Sequence, residues 1–187
     1  MHKIIFIVLL FLSSNSFAFE TRARPTVWAT PIISEYLQNW YQIDSELYRS
    51  EQPDEQAMEE IETFGIKSIL NLREFHDDND EIKGTHLIPL HVPIRTQTIN
   101  DAHIVKALQL IQKSDKPVLV HCWHGADRTG TVIAMYRMTE QGWSREAAID
   151  ELIHGGYNYH SMFGNIITYL ENVDIEVIKQ QMNKASK

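Results

Sequence analysis

His121-Cys122-Trp123-His124-Gly125-Ala126-Asp127-Arg128-Thr129-Gly130 lies between two segments of opposite pattern. The short apolar run Pro117-Val118-Leu119-Val120 precedes it and reads as a buried strand. Thr131-Val132-Ile133-Ala134-Met135-Tyr136-Arg137-Met138 follows it and reads as a helix that starts near Thr129. Strand, glycine-bearing loop and helix N-terminus together make a setting in which backbone N–H groups converge on an anion. Cys122 is the only cysteine of the chain. A helix start and a nearby guanidinium both favour its thiolate form.

Working outward from the loop, the helix after it is expected to end at Gly142, and Ser144 to cap a further helix running to His154. Gly155-Gly156 breaks that helix. Ile166, Ile167, Tyr169, Leu170, Val173 and Val177 predict one final helix. On the upstream side, residues 101–113 carry Ile104, Val105, Leu108 and Ile111 at helical spacing. Before them come two strand candidates, Ile66–Leu72 and His86–Leu90, joined by a loop rich in acids from Asp77 to Glu81. A helix is expected from Pro53, as its first residue, to Phe64, with Gly65 as the stop. Trp40–Ile43 and Glu46–Ser50 read as short strands around the turn Asp44-Ser45. Strands alternating with helices predict an α/β fold: a central, mostly parallel mixed sheet flanked by helices on both faces. Ligand chemistry in such a sheet belongs at the carboxyl ends of the strands, where Cys122 falls.

The N-terminus divides from this unit. Lys3 is followed by Ile4 to Leu12 without a polar residue, then by small residues at Ser16 and Ala18. That pattern predicts a signal peptide over residues 1–18, cleaved after Ala18, and a protein exported to the periplasm without stable membrane insertion. Residues 19–38 read as an extended lead-in, and residues 39–187 as one domain. Loss of residues 1–18 removes Lys3 and no acid, moving the formal charge from −8 to −9. Nothing then supplies the basic stripe a nucleic acid needs. An anionic substrate must be drawn in by a local positive site against the overall field. A lone thiol in an oxidising compartment forms no internal disulfide, which points to a chemical use for Cys122.

His-Cys-x5-Arg-Thr, with Gly125, Thr129 and Gly130 and the strand and helix around it, resembles the signature of the cysteine-dependent protein tyrosine and dual-specificity phosphatases. Trp123-His124-Gly125, Tyr136-Arg137-Met138, Gln141-Gly142-Trp143-Ser144 and Phe163-Gly164-Asn165-Ile166 extend that likeness to the small exported members from Gram-negative bacteria. The resemblance implies an enzyme that hydrolyses phosphate monoesters through a phosphocysteine, with phosphotyrosine, or phosphoserine and phosphothreonine, on proteins as substrate. It implies Cys122 as nucleophile and Arg128 as a bidentate clamp on two phosphate oxygens, which lysine cannot copy. The N–H groups of Trp123, His124, Gly125, Ala126, Asp127 and Arg128 would cradle the phosphate. Thr129 would donate to the thiolate, or merely cap the helix. His121 would orient the loop. No metal or cofactor is called for. The implied partner is a phosphorylated protein, such as the periplasmic part of a membrane signalling protein.

The general acid has two candidates. Asp101 is the only carboxylate from Thr85 to Asp101, but an acid at a helix start also has a structural use. Asp127 sits in an Asp-Arg-Thr loop like those of lipid-acting and some bacterial tyrosine phosphatases, and its alternative is pairing with Arg128 or a nearby N–H. Tyr48, Arg49, Phe75 and residues 155–163 are candidates for the pocket rim. Two other readings compete. One is a phosphatase of non-protein phosphates such as phosphoinositides, against which the absence of lysine from the loop counts. The other is a phosphotyrosine-binding module without turnover, against which Cys122, Arg128 and Thr129 count. A rhodanese-like sulfur transferase is disfavoured by the Arg-Thr that closes the loop.

Overall fold

A computed structural model describes residues 23–184. The expected signal peptide, residues 1–18, and the start of the lead-in lie outside the described residues. The elements in chain order are β1 (Thr30–Pro31), β2 (Tyr41–Gln42), β3 (Leu47–Ser50), α1 (Glu55–Phe64), β4 (Ser68–Asn71) and β5 (Ile88–His91). A short turn of tighter helix at Thr96–Thr98 follows, then α2 (Asp101–Lys113), β6 (Val118–His121), α3 (Asp127–Thr139) and α4 (Arg145–His154). The last two elements are α5 (Gly164–Asn172) and α6 (Ile175–Lys184). The sheet order is β1-β2-β3-β6-β4-β5, antiparallel in its first two pairings and parallel in the other three. This is the mixed, mostly parallel sheet that the alternation of elements predicts.

The central strands show why a continuous apolar run was needed. Val118 and Val120 of β6 enter the larger core with Leu70 and Leu47, while Leu119 points to the other face with Ile69 and Tyr48. Successive residues of a strand face opposite sides, and both sides here are covered. One face carries α1 alone, through Ala57, Met58 and Ile61. Burying the Met58 or Ile61 side chain there contributes about 1.5–3 kcal/mol. The other face carries α2 to α6, with α3 at their centre: Val132, Ile133, Met135 and Met138 are all buried.

Two helix boundaries differ from expectation. Asp54 caps α1, its carboxylate accepting from the Ala57 N–H at 2.9 Å, so Pro53 precedes the cap and is not the first helical residue. The final helix is two helices. Val173 is extended, and the Asp174 carboxylate accepts from the N–H groups of Glu176 and Val177 at 3.0 and 3.1 Å, starting α6 afresh. The Arg145 guanidinium bonds the carbonyls of Leu170 and Val173 and so satisfies the end of α5. The caps at Gly65 and Ser144 stand as expected.

Candidate active site

The parallel strands β3, β6 and β4 are in register, with Ser50 and Asn71 each beside His121. Their carboxyl ends therefore finish at one level, and the loop from Cys122 to Ala126 lies across them. Gly125 allows this on two counts. Its φ is +66°, and a Cβ there would stand 2.3 Å from the Ser50 carbonyl oxygen.

The loop's carbonyls are tied backward one by one. Trp123 O accepts from the Gln52 N–H at 3.1 Å, His124 O from Asn39 Nδ2 at 2.8 Å, and Gly125 O from the Arg49 guanidinium. Among the described residues, no backbone N–H from Trp123 to Ala126 donates to a protein group. No side chain caps α3 either. A ring of unspent N–H groups thus adjoins a helix N-terminus, an arrangement that attracts anions. Arg49 is wholly buried beneath it, its guanidinium 3.6 Å from the centre of the Tyr157 ring, and that burial lowers its pKa. Tyr157 donates in turn to Glu151, which grips Arg137 through both carboxylate oxygens. Burial pushes the Tyr157 hydroxyl up to about 12, so it remains a donor at neutral pH.

Cys122 is buried at the start of this ring, with 2% of its surface exposed. Arg128 is half-buried on the first turn of α3, and its only side-chain hydrogen bond to protein among the described residues is a long one of 3.4 Å to the Ile94 carbonyl. Thr129, fully buried one residue on, has a hydroxyl without a hydrogen-bond partner among the described residues. His121 is held on both ring nitrogens: Nε2 by Asp78 Oδ2 at 2.8 Å, Nδ1 by its neighbour's carbonyl, Cys122 O, at 3.3 Å. Asn71 and Gln52 donate to the other oxygen of Asp78 at 2.9 and 2.8 Å. Burial pushes the Asp78 carboxyl up, but the hydrogen bond and charge of His121 and the bond from Gln52 together hold it below its ordinary value.

Two cavities open above the loop and share Thr96, Trp123 and Arg128. The first, about 290 Å³, is also walled by His124, Asp127, His160 and Phe163. The second, about 280 Å³, is also walled by Arg73, Glu74, Phe75 and Ile94. Arg73 lies over the Trp123 ring at 4.2 Å and donates to Gln52 Oε1 at 3.0 Å. Burial and the positive charge of Arg128 lower its pKa. Neither Arg73 nor Arg128 forms an ion pair with a carboxylate among the described residues.

The candidate acids are placed differently. Asp127 lines the first cavity, and both its oxygens are occupied by one residue: Oδ1 accepts from the His160 N–H at 3.0 Å and Oδ2 bonds His160 Nδ1 at 2.8 Å. Asp101 opens α2 and accepts from the Tyr169 hydroxyl at 3.0 Å. It is in the wall of neither cavity. The rim expectation needs correction for two residues. Tyr48 is buried against α1 and Arg49 beneath the loop, because β3 is an inner strand whose residues face the two cores. Phe75 and part of residues 155–163 do reach the cavities. Asp78, Asn39 and Arg73 had no assigned role in the sequence reading, and His160 entered it only as part of the rim segment 155–163, since each meets the loop only through the fold.

This geometry has counterparts. Dual specificity protein phosphatase TpbA of Pseudomonas aeruginosa is 30% identical over 168 residues, covering 88% of this chain and 76% of that protein. A crystal structure of P. aeruginosa TpbA in complex with pTyr superposes with a TM-score of 0.77 at 28% identity, over 87% of this chain and 99% of that one. The core catalytic domain of the PP-IP phosphatase SIW14 from S. cerevisiae does so at 0.67 and 27%, over 80% and 93%. The tyrosine phosphatase family model matches residues 36–187. The strand–loop–helix around Cys122, with its unspent N–H groups and its arginine, therefore sits in a chain that belongs to the tyrosine phosphatase family.

Proposed function

We propose that this chain is an exported phosphatase that hydrolyses phosphate monoesters on proteins, phosphotyrosine foremost, through a phosphocysteine intermediate. The observation that carries the reading is the loop itself: every carbonyl from Trp123 to Gly125 is tied back, while the loop N–H groups donate to no protein group among the described residues. A phosphoryl group in transfer spreads charge over three oxygens, and fixed donors stabilise it without reorganising. Cys122 Sγ attacks phosphorus as the bond to the leaving oxygen breaks. Arg128 clamps two of the phosphoryl oxygens. Water then attacks the phosphocysteine, the S–P bond breaks, and inorganic phosphate leaves the restored thiolate. The buried, unspent hydroxyl of Thr129 is suited to donate to that sulfur as it departs; leaving such a group unpaired costs about 1–3 kcal/mol. The aromatic wall of Trp123 and Phe163 suits an aryl ester, and a similar protein is known in complex with pTyr.

Hydrolysis of para-nitrophenyl phosphate by the wild type and by Cys122→Ser tests the covalent step. The serine variant is expected to lose activity by a factor of at least ~10³, and retained turnover would refute the mechanism. Export is tested by the N-terminus of protein recovered from the periplasm, expected at Phe19. One observation favours a second substrate reading. Arg73 sets a second guanidinium, in no ion pair among the described residues, in the cavity next to Arg128, whose wall also carries Glu74. That suits a substrate with another anionic group near the scissile one, and the similar SIW14 is a PP-IP phosphatase. A panel of phosphopeptides against inositol diphosphates separates the two by kcat/KM.

A further inference from the structure

Expelling a phenolate or alkoxide requires a proton in the transition state. The segment facing the loop from Pro93 to Asn100 carries no carboxylate. Asp101 is turned to Tyr169. Asp127 is near enough, but its two oxygens are both engaged by His160, and its side chain is 10% exposed against 41% for the imidazole. The carboxylate therefore stands behind the ring, and the ring stands in the cavity wall.

That order fixes what each group can do. Asp127 bonds Nδ1, so Nε2 is the nitrogen left for a substrate or water. The main-chain bond from His160 to Oδ1 keeps the segment from swinging away. Phe163 lies edge-on to the ring at 6.3 Å, and Tyr159 is anchored by its hydroxyl to the Phe163 carbonyl. The charged and titratable neighbours are Asp127 behind, Arg128 along the same wall, and His124, whose ring centre is 5.4 Å away. Glu51 and His124 share with His160 a third cavity on its other side. Asp127 balances the positive charge of a protonated imidazole, as a buried carboxylate behind a catalytic histidine does elsewhere.

We infer that His160, oriented by Asp127, gives a proton to the departing oxygen and takes one from the hydrolytic water. The inference rests on the phosphocysteine reading. In the first step the P–O bond breaks as S–P forms, and the Nε2 proton passes to the leaving oxygen. In the second, neutral His160 takes a proton from water as its oxygen bonds phosphorus and the S–P bond breaks. The cycle returns thiolate and imidazolium.

The test is a series of phosphate monoesters with leaving groups of rising basicity, from para-nitrophenol to phenol to an alkyl alcohol, assayed with wild type, His160→Gln, Asp127→Asn and Asp101→Asn. Glutamine can still hydrogen-bond Asp127 but cannot pass on a proton. His160→Gln is expected to lose less than about 10-fold in kcat/KM on the para-nitrophenyl ester and about 10²–10³-fold on the phenyl ester. The basic limb of its pH–rate profile on phenyl phosphate should also disappear. An equal loss on every ester, or an unchanged basic limb, overturns the inference. So does a leaving-group-dependent loss in Asp101→Asn that His160→Gln does not share. Activity surviving in Cys122→Ser would instead sink the phosphocysteine reading beneath it, so the two failures are told apart.

Discussion

Two histidine–aspartate pairs bracket the loop, each closed at 2.8 Å, and they differ in almost everything else. His121 with Asp78 lies at the strand end, 0% and 1% exposed in its side chains; His160 with Asp127 lies in the cavity wall, 41% and 10% exposed. In the first pair both imidazole nitrogens are bonded within the protein, and the aspartate takes further bonds from Asn71 and Gln52. In the second, one imidazole nitrogen is left to face outward. The same two side chains thus serve opposite ends. A pair with every polar atom spent holds a main chain still; a pair with one atom unspent can exchange a proton.

The largest test of that contrast is Asp78→Ala. It leaves His121, Asn71 and Gln52 without their buried acceptor and is expected to destabilise the fold by about 3–5 kcal/mol, read by urea or thermal unfolding. The acid side of the stability curve gives an independent reading. The folded Asp78 carboxyl lies below its ordinary value of 3.8. Its stabilisation is therefore present above that value and is lost as pH falls through the lower, folded one. Asp78→Asn should lose stability at neutral pH and show a shallower decline between about pH 5 and pH 2. Equal slopes for wild type and variant would mean that the buried pair is not an ionic one.

A middle-sized effect is expected where the two regions are joined. Asn39 donates to His124 O at 2.8 Å and to Tyr157 O at 3.1 Å, linking the loop to the segment that carries His160. Its φ of +52° is one that asparagine tolerates better than alanine. Asn39→Ala should cost about 2 kcal/mol in stability, from lost bonds and backbone strain together. It should also lower kcat in phosphatase assays, since both the cradle and its neighbour loosen. A stability loss with kcat intact would show that the loop keeps its shape without this tie.

How far the sequence discloses this site follows from the same contrast. Cys122, Arg128, Thr129 and the strand and helix around them are contiguous, so their pattern survives without a fold. That the central strands are buried on both faces follows from continuous apolar runs such as Val118–Val120, which are local, whereas the order of the strands in the sheet is not. Asp78 is hidden among Asp77, Asp80 and Glu81, and only the return of β4 beside β6 brings it to His121. His160 lies in Asn158-Tyr159-His160-Ser161, where no spacing marks it, and the turn after α4 delivers it to Asp127. The split between α5 and α6 is hidden in the sequence for the opposite reason. The apolar period runs on from Leu170 through Val173 to Val177, and the break comes from one cap, Asp174, inside it.

The smallest stability effect should fall on Asp127→Asn, and its size is what separates the two pairs. With the imidazole 41% exposed, water can replace most of what the carboxylate supplies, so the cost is expected to stay within about 1 kcal/mol. Asparagine can still accept from the His160 N–H through its carbonyl oxygen, which keeps the segment in place. What it removes is the negative charge behind the ring. Folding should therefore be nearly unchanged while turnover of phenyl phosphate falls several-fold more than that of para-nitrophenyl phosphate. A thermal melt alongside the two rates decides the matter. If Asp127→Asn unfolds as readily as Asp78→Ala, the outer pair is a structural tie like the inner one, and exposure was the wrong guide to its use.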